Sequence, residues 1–321
     1  MSAAARAAAG AGTGAAPVTI LMAVCNGAQA LPDQLDSIAA QTHADWRLIA
    51  SDDGSQDGSP DVIRRFAATR PPGCVDLVAG PGQGFAQNFL SLLARAPSGP
   101  VALSDQDDIW FPGKLERALA RIAALPADRP ALYCSRRINW WPDSGRRRLS
   151  RRYPRPPAFA NALVENIASG NTIVLNAAAA DLARATAPAA AAAAVPFHDW
   201  WLYLLVTGVG GTVIHDPEPG LLYRQHARNA LGRGEGMGGG LRVGRGLADG
   251  SYAGRIGRNV AALQRIADRL TAENRARLDT FAAARRAGLL RRLGLMGRAG
   301  VWRQGLAARL GLWVAVCLGR V

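Results

Sequence analysis

Ser104-Asp105-Gln106-Asp107-Asp108-Ile109-Trp110 sets three carboxylates at the end of a short apolar run, Val101-Ala102-Leu103. Like charges this close repel and hold water, so a strand end rarely carries them unless a cation or a substrate offsets the cost. Hard oxygen donors of this kind suit Mg²⁺ or Mn²⁺, ions that usually arrive bridging substrate phosphates. The competing reading is a surface turn with an acidic helix N-cap ahead of Pro112-Gly113-Lys114.

A second acidic loop favours the functional reading. Trp46-Arg47-Leu48-Ile49-Ala50 alternates like a half-buried strand and runs into Ser51-Asp52-Asp53-Gly54-Ser55. Val18-Thr19-Ile20-Leu21-Met22-Ala23-Val24 likewise ends in Cys25-Asn26-Gly27. Strands each followed by a polar turn and a helical stretch describe a parallel α/β sheet, whose ligands bind beyond the carboxyl ends of the strands. All three turns then fall on one edge. No GxGxxG follows any of these strands, so a dinucleotide fold is not supported. Leu31, Leu35 and Ile38 predict a helix after the first strand, and Lys114, Leu115, Leu119 and Ile122 another. Gly80-Pro81-Gly82-Gln83-Gly84 reads as a plain turn or as a phosphate cradle.

The ordered motifs carry a resemblance. Cys25-Asn26-Gly27, Gln34-Leu35-Asp36-Ser37-Ile38, Ser51-Asp52-Asp53-Gly54-Ser55, Asn88-Phe89-Leu90 and Asp105-Gln106-Asp107-Asp108-Ile109-Trp110 stand in the order of bacterial family 2 glycosyltransferases. Ser169-Gly170-Asn171-Thr172, His198-Asp199-Trp200-Trp201 and Tyr223-Arg224-Gln225-His226 continue it. The set is most similar to the rhamnosyltransferase-like branch. It implies a GT-A fold, a Rossmann-like mixed, mainly parallel sheet flanked by helices, over residues 17–232. Cys25 departs from the family's usual Tyr, and Gln83 from a common Asn.

The resemblance also implies roles. Asp199 is the candidate general base, since an aspartate beside two tryptophans is desolvated and its pKa raised toward a useful value. Its plainer reading is a cap for the helix that follows. Asp105 and Asp107 are the candidate donor and metal residues, with Mg²⁺ or Mn²⁺ as the cofactor and Asp107 as the direct ligand. Asp108 orients Asp107 or caps the next helix. Asp52 or Asp53 contacts the nucleoside. Arg224 and His226 clamp the leaving diphosphate, or merely edge the surface after Leu221-Leu222-Tyr223. Asn171, Trp200 and Trp201 fall on the acceptor side. The donor implied is dTDP-L-rhamnose or a similar nucleotide-sugar, and the acceptor a glycan, O-antigen or lipid-linked glycan.

Charge divides the chain. Residues 233–321 hold 17 arginines against 5 acidic residues, nearly all of the net +14, and Lys114 is the sole lysine. After a glycine-rich linker, helical periodicity resumes with arginines interleaved. This extension reads as a basic amphipathic tail on an anionic membrane surface, or as an appendix packed on the catalytic domain with solvated arginines. Nucleic-acid binding is disfavoured because no reader motif accompanies the arginines. Residues 136–155 hold eight arginines and read as an exposed excursion between strands, with Trp140-Trp141 either stacking on a sugar or anchoring the loop. The alanine-rich stretch 177–194 predicts a helix broken at Pro188 and again before Pro196.

Four scattered cysteines without a CxxC pair predict free thiols in a reducing compartment. Residues 1–16 lack a secretory h-region and read as a disordered leader. No run of 18 apolar residues predicts a spanning helix, so a cytoplasmic protein, peripheral on the inner face of the plasma membrane, is expected. A sugar nucleotidyltransferase would carry a glycine-rich, basic loop after its first strand, and 23–30 has none. A non-catalytic adaptor on a transferase-like fold would have no need of the acids at Asp107 and Asp199.

Overall fold

The computed structural model describes residues 17–225 and 250–321. The expected leader, His226 and the glycine-rich linker lie outside the described residues.

The apolar runs form the predicted strands. β1 (Val18–Val24) is central, with β2 (Trp46–Asp52) on one side and β4 (Val101–Ser104) on the other, and β3 (Val75–Ala79) beyond β2. All three of these pairings are parallel, with Val24 opposite Asp52 and Met22 opposite Ser104. The loops that begin at Cys25, Asp53 and Asp105 therefore leave the sheet at one edge. α1 (Leu31–Ala39), α2 (Ser59–Ala68) and α4 (Lys114–Ala123) pack a core around Ile20, Leu35 and Ile63, while α3 (Phe85–Arg95) packs Phe89 and Leu93 into a second core. Each fully buried Leu, Ile or Phe stabilises the fold by roughly 1.5–3 kcal/mol.

The sheet continues past β4 with mixed direction. β8 (Val174–Leu175) is antiparallel to both β4 and β6 (Ala131–Trp141), and β9 (Thr212–Arg224) runs parallel to β6. β5 (Ile109–Trp110) is antiparallel to β9, pairing Ile109 with Leu222. This brings the end of β9 alongside the acidic loop that separates β4 from β5.

Two local expectations change. Residues 136–155 are an excursion only in part: Arg136 and Arg137 belong to β6, which pairs antiparallel with β7 (Arg146–Leu149) across a 3₁₀ turn at Pro142–Ser144, while β7 itself is exposed. Arg136 donates to the Ser150 carbonyl at 3.0 Å and Arg146 lies over the Trp141 ring, contacts that hold the hairpin together. The alanine-rich helix, α6 (Ala177–Ala192), also runs unbroken through Pro188. Burial of Ala183, Ala187 and Ala190 outweighs the proline penalty of about 3 kcal/mol. The second break is real, and Ala194 there has φ +49°.

α5 (Phe159–Ala162) leads to the turn before β8, and α7 (His198–Gly208) is buried on every side. The helices beyond residue 250 complete the same core: α8 (Ser251–Arg265), which packs on α6, then α9 (Ala272–Arg286), α10 (Leu289–Ala299) and α11 (Leu306–Cys317). Ile256, Leu263, Phe281 and Met296 share one core with Trp201 and Tyr203. Their arginines are not all solvated. Arg285 donates to the carbonyls of Val321 and Ala253, and Asn274 ties α9 to the carbonyls of Thr207 and Gly208. Among the described residues, no helix is long and apolar enough to cross a membrane.

Candidate active site

Gln106 locks the acidic loop to the end of β1. Its Oε1 accepts the Cys25 N–H at 2.8 Å and its Nε2 donates to the Cys25 carbonyl at 3.0 Å. Gly27 makes room for this bridge, because a Cβ there would collide with the Gln106 amide. From the other side, Arg224 Nε donates to the Asp107 carbonyl at 3.0 Å and Nη2 pairs with Asp33 at 2.7 Å, with the guanidinium over the Trp140 ring. Trp140 thus holds a loop-positioning arginine. Trp141 stacks under Arg146.

The turn Ser169-Gly170-Asn171-Thr172 joins this loop to α7. Asn171 Nδ2 donates to Asp108 Oδ2 at 2.7 Å, and the Gly170 N–H donates to Asp199 Oδ2 at 3.2 Å. A side chain at Gly170 would press its Cβ to 2.7 Å from His198 Nε2, so the turn fits α7 only with glycine. Asp199 is not the helix cap, since α7 begins one residue earlier with Phe197 as N-cap. Its carboxylate instead accepts from the Trp200 N–H at 2.6 Å and from Gly170.

Electrostatics bind these acids into one unit. Burial raises Asp199 to about 6, against hydrogen bonds from Trp200, Gly170 and Asn166 and the Arg137 charge. Burial, then the Asp107 and Asp199 charges, raises Asp105 to about 7. Asp108, fully buried, is pushed well above the usual carboxylate range by burial and by Asp107 and Asp105. Acids far apart in the chain therefore repel one another across one small region.

Two basic residues in that region were not singled out from the sequence. Arg137, read as one of a solvated arginine run, donates to Ser169 Oγ, lies 4.4 Å from the centre of the Tyr223 ring, and lowers Asp105, Asp108 and Asp199 by its charge. Lys114 is buried with its ammonium 3.1 Å from the centre of the Trp110 ring, and burial holds it well below the usual lysine range against the pull of Asp108 and Asp105. The only signal in the sequence was that Lys114 is the sole lysine.

The two aspartates of the second acidic loop differ in their partners. Both Asp53 oxygens are engaged, accepting from Gly82 N–H at 2.7 Å and Gly84 N–H at 2.8 Å. Those glycines hold a carboxylate already, so the stretch is a structural turn and not a phosphate cradle. Asp52 accepts from the Ser55 N–H through Oδ2, while its buried Oδ1 has no partner among the described residues. Asp52 lines a cleft of about 540 Å³ with Gly54, Pro60, Arg64, Val78 and Gly80.

Trp200 and Trp201 do not join the cleft. Both are buried, and the Trp200 indole donates to the Ala162 carbonyl at 2.7 Å, because α7 is apolar on all faces and serves as core. His198 is likewise enclosed, stacked on Phe89 at 3.9 Å, and burial lowers it to about 3. Asn171 is spent on Asp108 and Ser169.

Among the described residues, no group of three or more His, Cys, Asp or Glu side chains is arranged to hold a metal alone. Asp105 and Asp107 nevertheless fit Mg²⁺ or Mn²⁺ by donor chemistry. They are hard carboxylates whose mutual repulsion contributes to raising Asp105, and Mg²⁺ is commonly held by one or two carboxylates completed by phosphate oxygens.

The family model for glycosyl transferase family 2 matches residues 19–178. The chain is 28% identical over 218 residues to the dTDP-rhamnosyl transferase RfbG of Shigella flexneri, covering 66% of this chain and 73% of that one. It is 37% identical over 101 residues to an uncharacterized glycosyltransferase of Nostoc sp., and there spans only 31% of either length. In fold it resembles the mannosyltransferase PcManGT from Pyrobaculum calidifontis, solved with GDP-Man and Mn2+, at a TM-score of 0.51 and 17% identity over 99% of this chain and 92% of that one. Staphylococcus aureus TarS with UDP-GlcNAc has a TM-score of 0.51 at 10% identity, over 89% and 93%. The GT-A architecture, the acidic loop at its sheet edge and the matched family model together place the chain in glycosyl transferase family 2.

Proposed function

We propose that this protein is an inverting glycosyltransferase that moves a deoxyhexose such as L-rhamnose from a dTDP-linked donor to a hydroxyl of a surface polysaccharide, O-antigen or lipid-linked glycan. The observation that carries the reading is the Gly170-Asn171 turn, which ties the base candidate Asp199 to the acidic loop of Asp105, Asp107 and Asp108. The Shigella relative's name supports the choice of donor.

Asp199 takes the proton of the acceptor hydroxyl, and a carboxylate titrating near 6 is well matched to that task at neutral pH. The hydroxyl oxygen attacks the anomeric carbon as the bond to the diphosphate breaks, and the electron pair leaves on the diphosphate. A single displacement inverts the carbon. Asp105 and Asp107 would hold Mg²⁺ or Mn²⁺, which when bound supplies positive charge to the departing diphosphate. Asp52, which lines the adjoining cleft, accepts a donor N–H or ribose hydroxyl there. Arg224 positions the Asp107 backbone, and Arg137 keeps the surrounding acids ionisable. Activated sugars and a lipid-linked acceptor meet at the cytoplasmic membrane face, where the enzyme works as a peripheral protein.

Purified protein assayed against dTDP-L-rhamnose, UDP-GlcNAc and GDP-Man, with and without Mn²⁺, tests the reading. Cation-stimulated turnover of dTDP-L-rhamnose above the others is expected. Turnover of none of them would remove it.

A further inference from the structure

The outer face of α11 is apolar although its inner face is already packed. Leu312, Ala315 and Val316 enter the core, yet Leu306 (71% exposed), Leu310 (61%), Trp313 (40%) and Val314 (53%) line the opposite side, followed by exposed Leu318. Residues 306, 310, 313 and 314 recur at helical spacing, so they form one stripe and not scattered exposures. Leu289 and Leu290, at the start of α10, adjoin the far end of this stripe, because Arg292 of the same turn donates to the Val316 carbonyl at 3.2 Å. A contiguous exposed apolar patch on a water-soluble surface marks an interaction site.

Charge identifies the partner. From Thr280 to the last residue the chain carries eight arginines and no acidic residue. Arg292 and Arg285 are spent on carbonyls, and Arg303 faces Glu165 at 3.7 Å. Arg286, Arg291, Arg298, Arg309 and Arg320 remain exposed. Beside the stripe, Arg155, Arg309, Trp302, Trp313 and Leu312 line a depression of about 250 Å³. It is rigidly built: the Arg155 guanidinium stacks 3.7 Å from the Trp302 ring, and Gln304 exchanges hydrogen bonds with both the N–H and the carbonyl of Arg155. A hollow lined by two guanidinium groups and two indoles suits a phosphate headgroup at the level where tryptophans sit in a bilayer.

We infer that the α10–α11 helix pair is a monotopic docking surface for an anionic phospholipid bilayer, with the α11 stripe entering the acyl boundary and the Arg155–Arg309 hollow taking a lipid phosphate. The helix lies in the membrane plane and does not span it. This deepens the proposed function by placing the enzyme where a lipid-linked acceptor would be, and it is tested without any sugar transfer.

Full-length protein is sedimented with vesicles of equal parts phosphatidylglycerol and phosphatidylcholine, and with phosphatidylcholine alone. Binding to the anionic vesicles only, or far above the neutral ones, is expected. The double substitution Leu310→Glu with Val314→Glu should abolish it, and Arg309→Ala should weaken it about fivefold. Both sites are exposed, so folding should hold, and unchanged circular dichroism and unchanged nucleotide binding check this. Equal sedimentation of wild type and double variant would overturn the inference. So would a wild-type dimer in velocity sedimentation that the double variant converts to monomer, because the face would then belong to a second copy.

Discussion

Asn171 Nδ2 donates to Asp108 Oδ2 at 2.7 Å, and Asp108 has no other route to a partner: its second oxygen is buried and unbonded among the described residues. The bond holds the acidic loop against the turn that carries Gly170, and Gly170 in turn binds Asp199. Asn171→Ala should therefore cost roughly 1–3 kcal/mol of stability, the penalty for orphaning a buried polar group. Urea denaturation reads this directly. A loss within error would mean the bond does not tie the two elements.

The rate of transfer should rise with pH and level off above about 6, because the base must be ionised and burial holds Asp199 near that value. Arg137 lowers Asp199 by its positive charge. Removing it in Arg137→Met makes ionisation harder, so the rising limb should move to higher pH. A limb that stays in place, or moves down, would detach Arg137 from the base.

Asp52 and Asp53 should separate under mutation. Asp52→Asn should weaken nucleotide binding by about tenfold with stability unchanged, since one charge-assisted hydrogen bond to a ligand is worth roughly 1.5–3 kcal/mol. Asp53→Ala frees the N–H groups of Gly82 and Gly84 and should lower thermal stability instead. Calorimetric titration with dTDP alongside thermal melts distinguishes them, and the reversed pattern would exchange their roles.

Stability should carry the mark of the crowded acids. Asp199 has a folded pKa near 6, above the ordinary aspartate value, so the folded state holds the extra proton between about pH 4 and 6. Its contribution to stability is present at low pH and is lost as pH rises through that window. Buried His198, lowered to about 3, acts in the opposite direction below its ordinary value, which masks the effect in wild type alone. The difference between Asp199→Asn and wild type cancels the histidine. It should grow in favour of the variant as pH rises from 4 to 6, on the order of 1–3 kcal/mol, and then level off. A difference independent of pH would place Asp199 in water.

The parallel half of the fold was legible because its strands are short apolar runs that end in loops of distinctive chemistry. Val18–Val24 and Trp46–Asp52 needed only local pattern. β6 and β7 were missed because arginine carries no strand signal, and only pairing with β9 gives Arg136 and Arg137 their places. The acids were legible by crowding and by motif order. Their partners were not: nothing in spacing tells that Lys114 is enclosed against Trp110, or that Arg137 reaches Ser169 some thirty residues on. Trp200 and Trp201 misled for a related reason, since paired tryptophans beside an aspartate look the same whether they face a cleft or a core.

Isothermal titration of dTDP-L-rhamnose, run beside a transfer assay on Asp199→Asn, tests the central claim most directly. The substitution keeps an oxygen for the Gly170 N–H, so donor affinity should stay within about twofold, while transfer falls by roughly 10²–10⁴ with loss of the base. Transfer by Asp199→Asn at the wild-type rate would contradict the account.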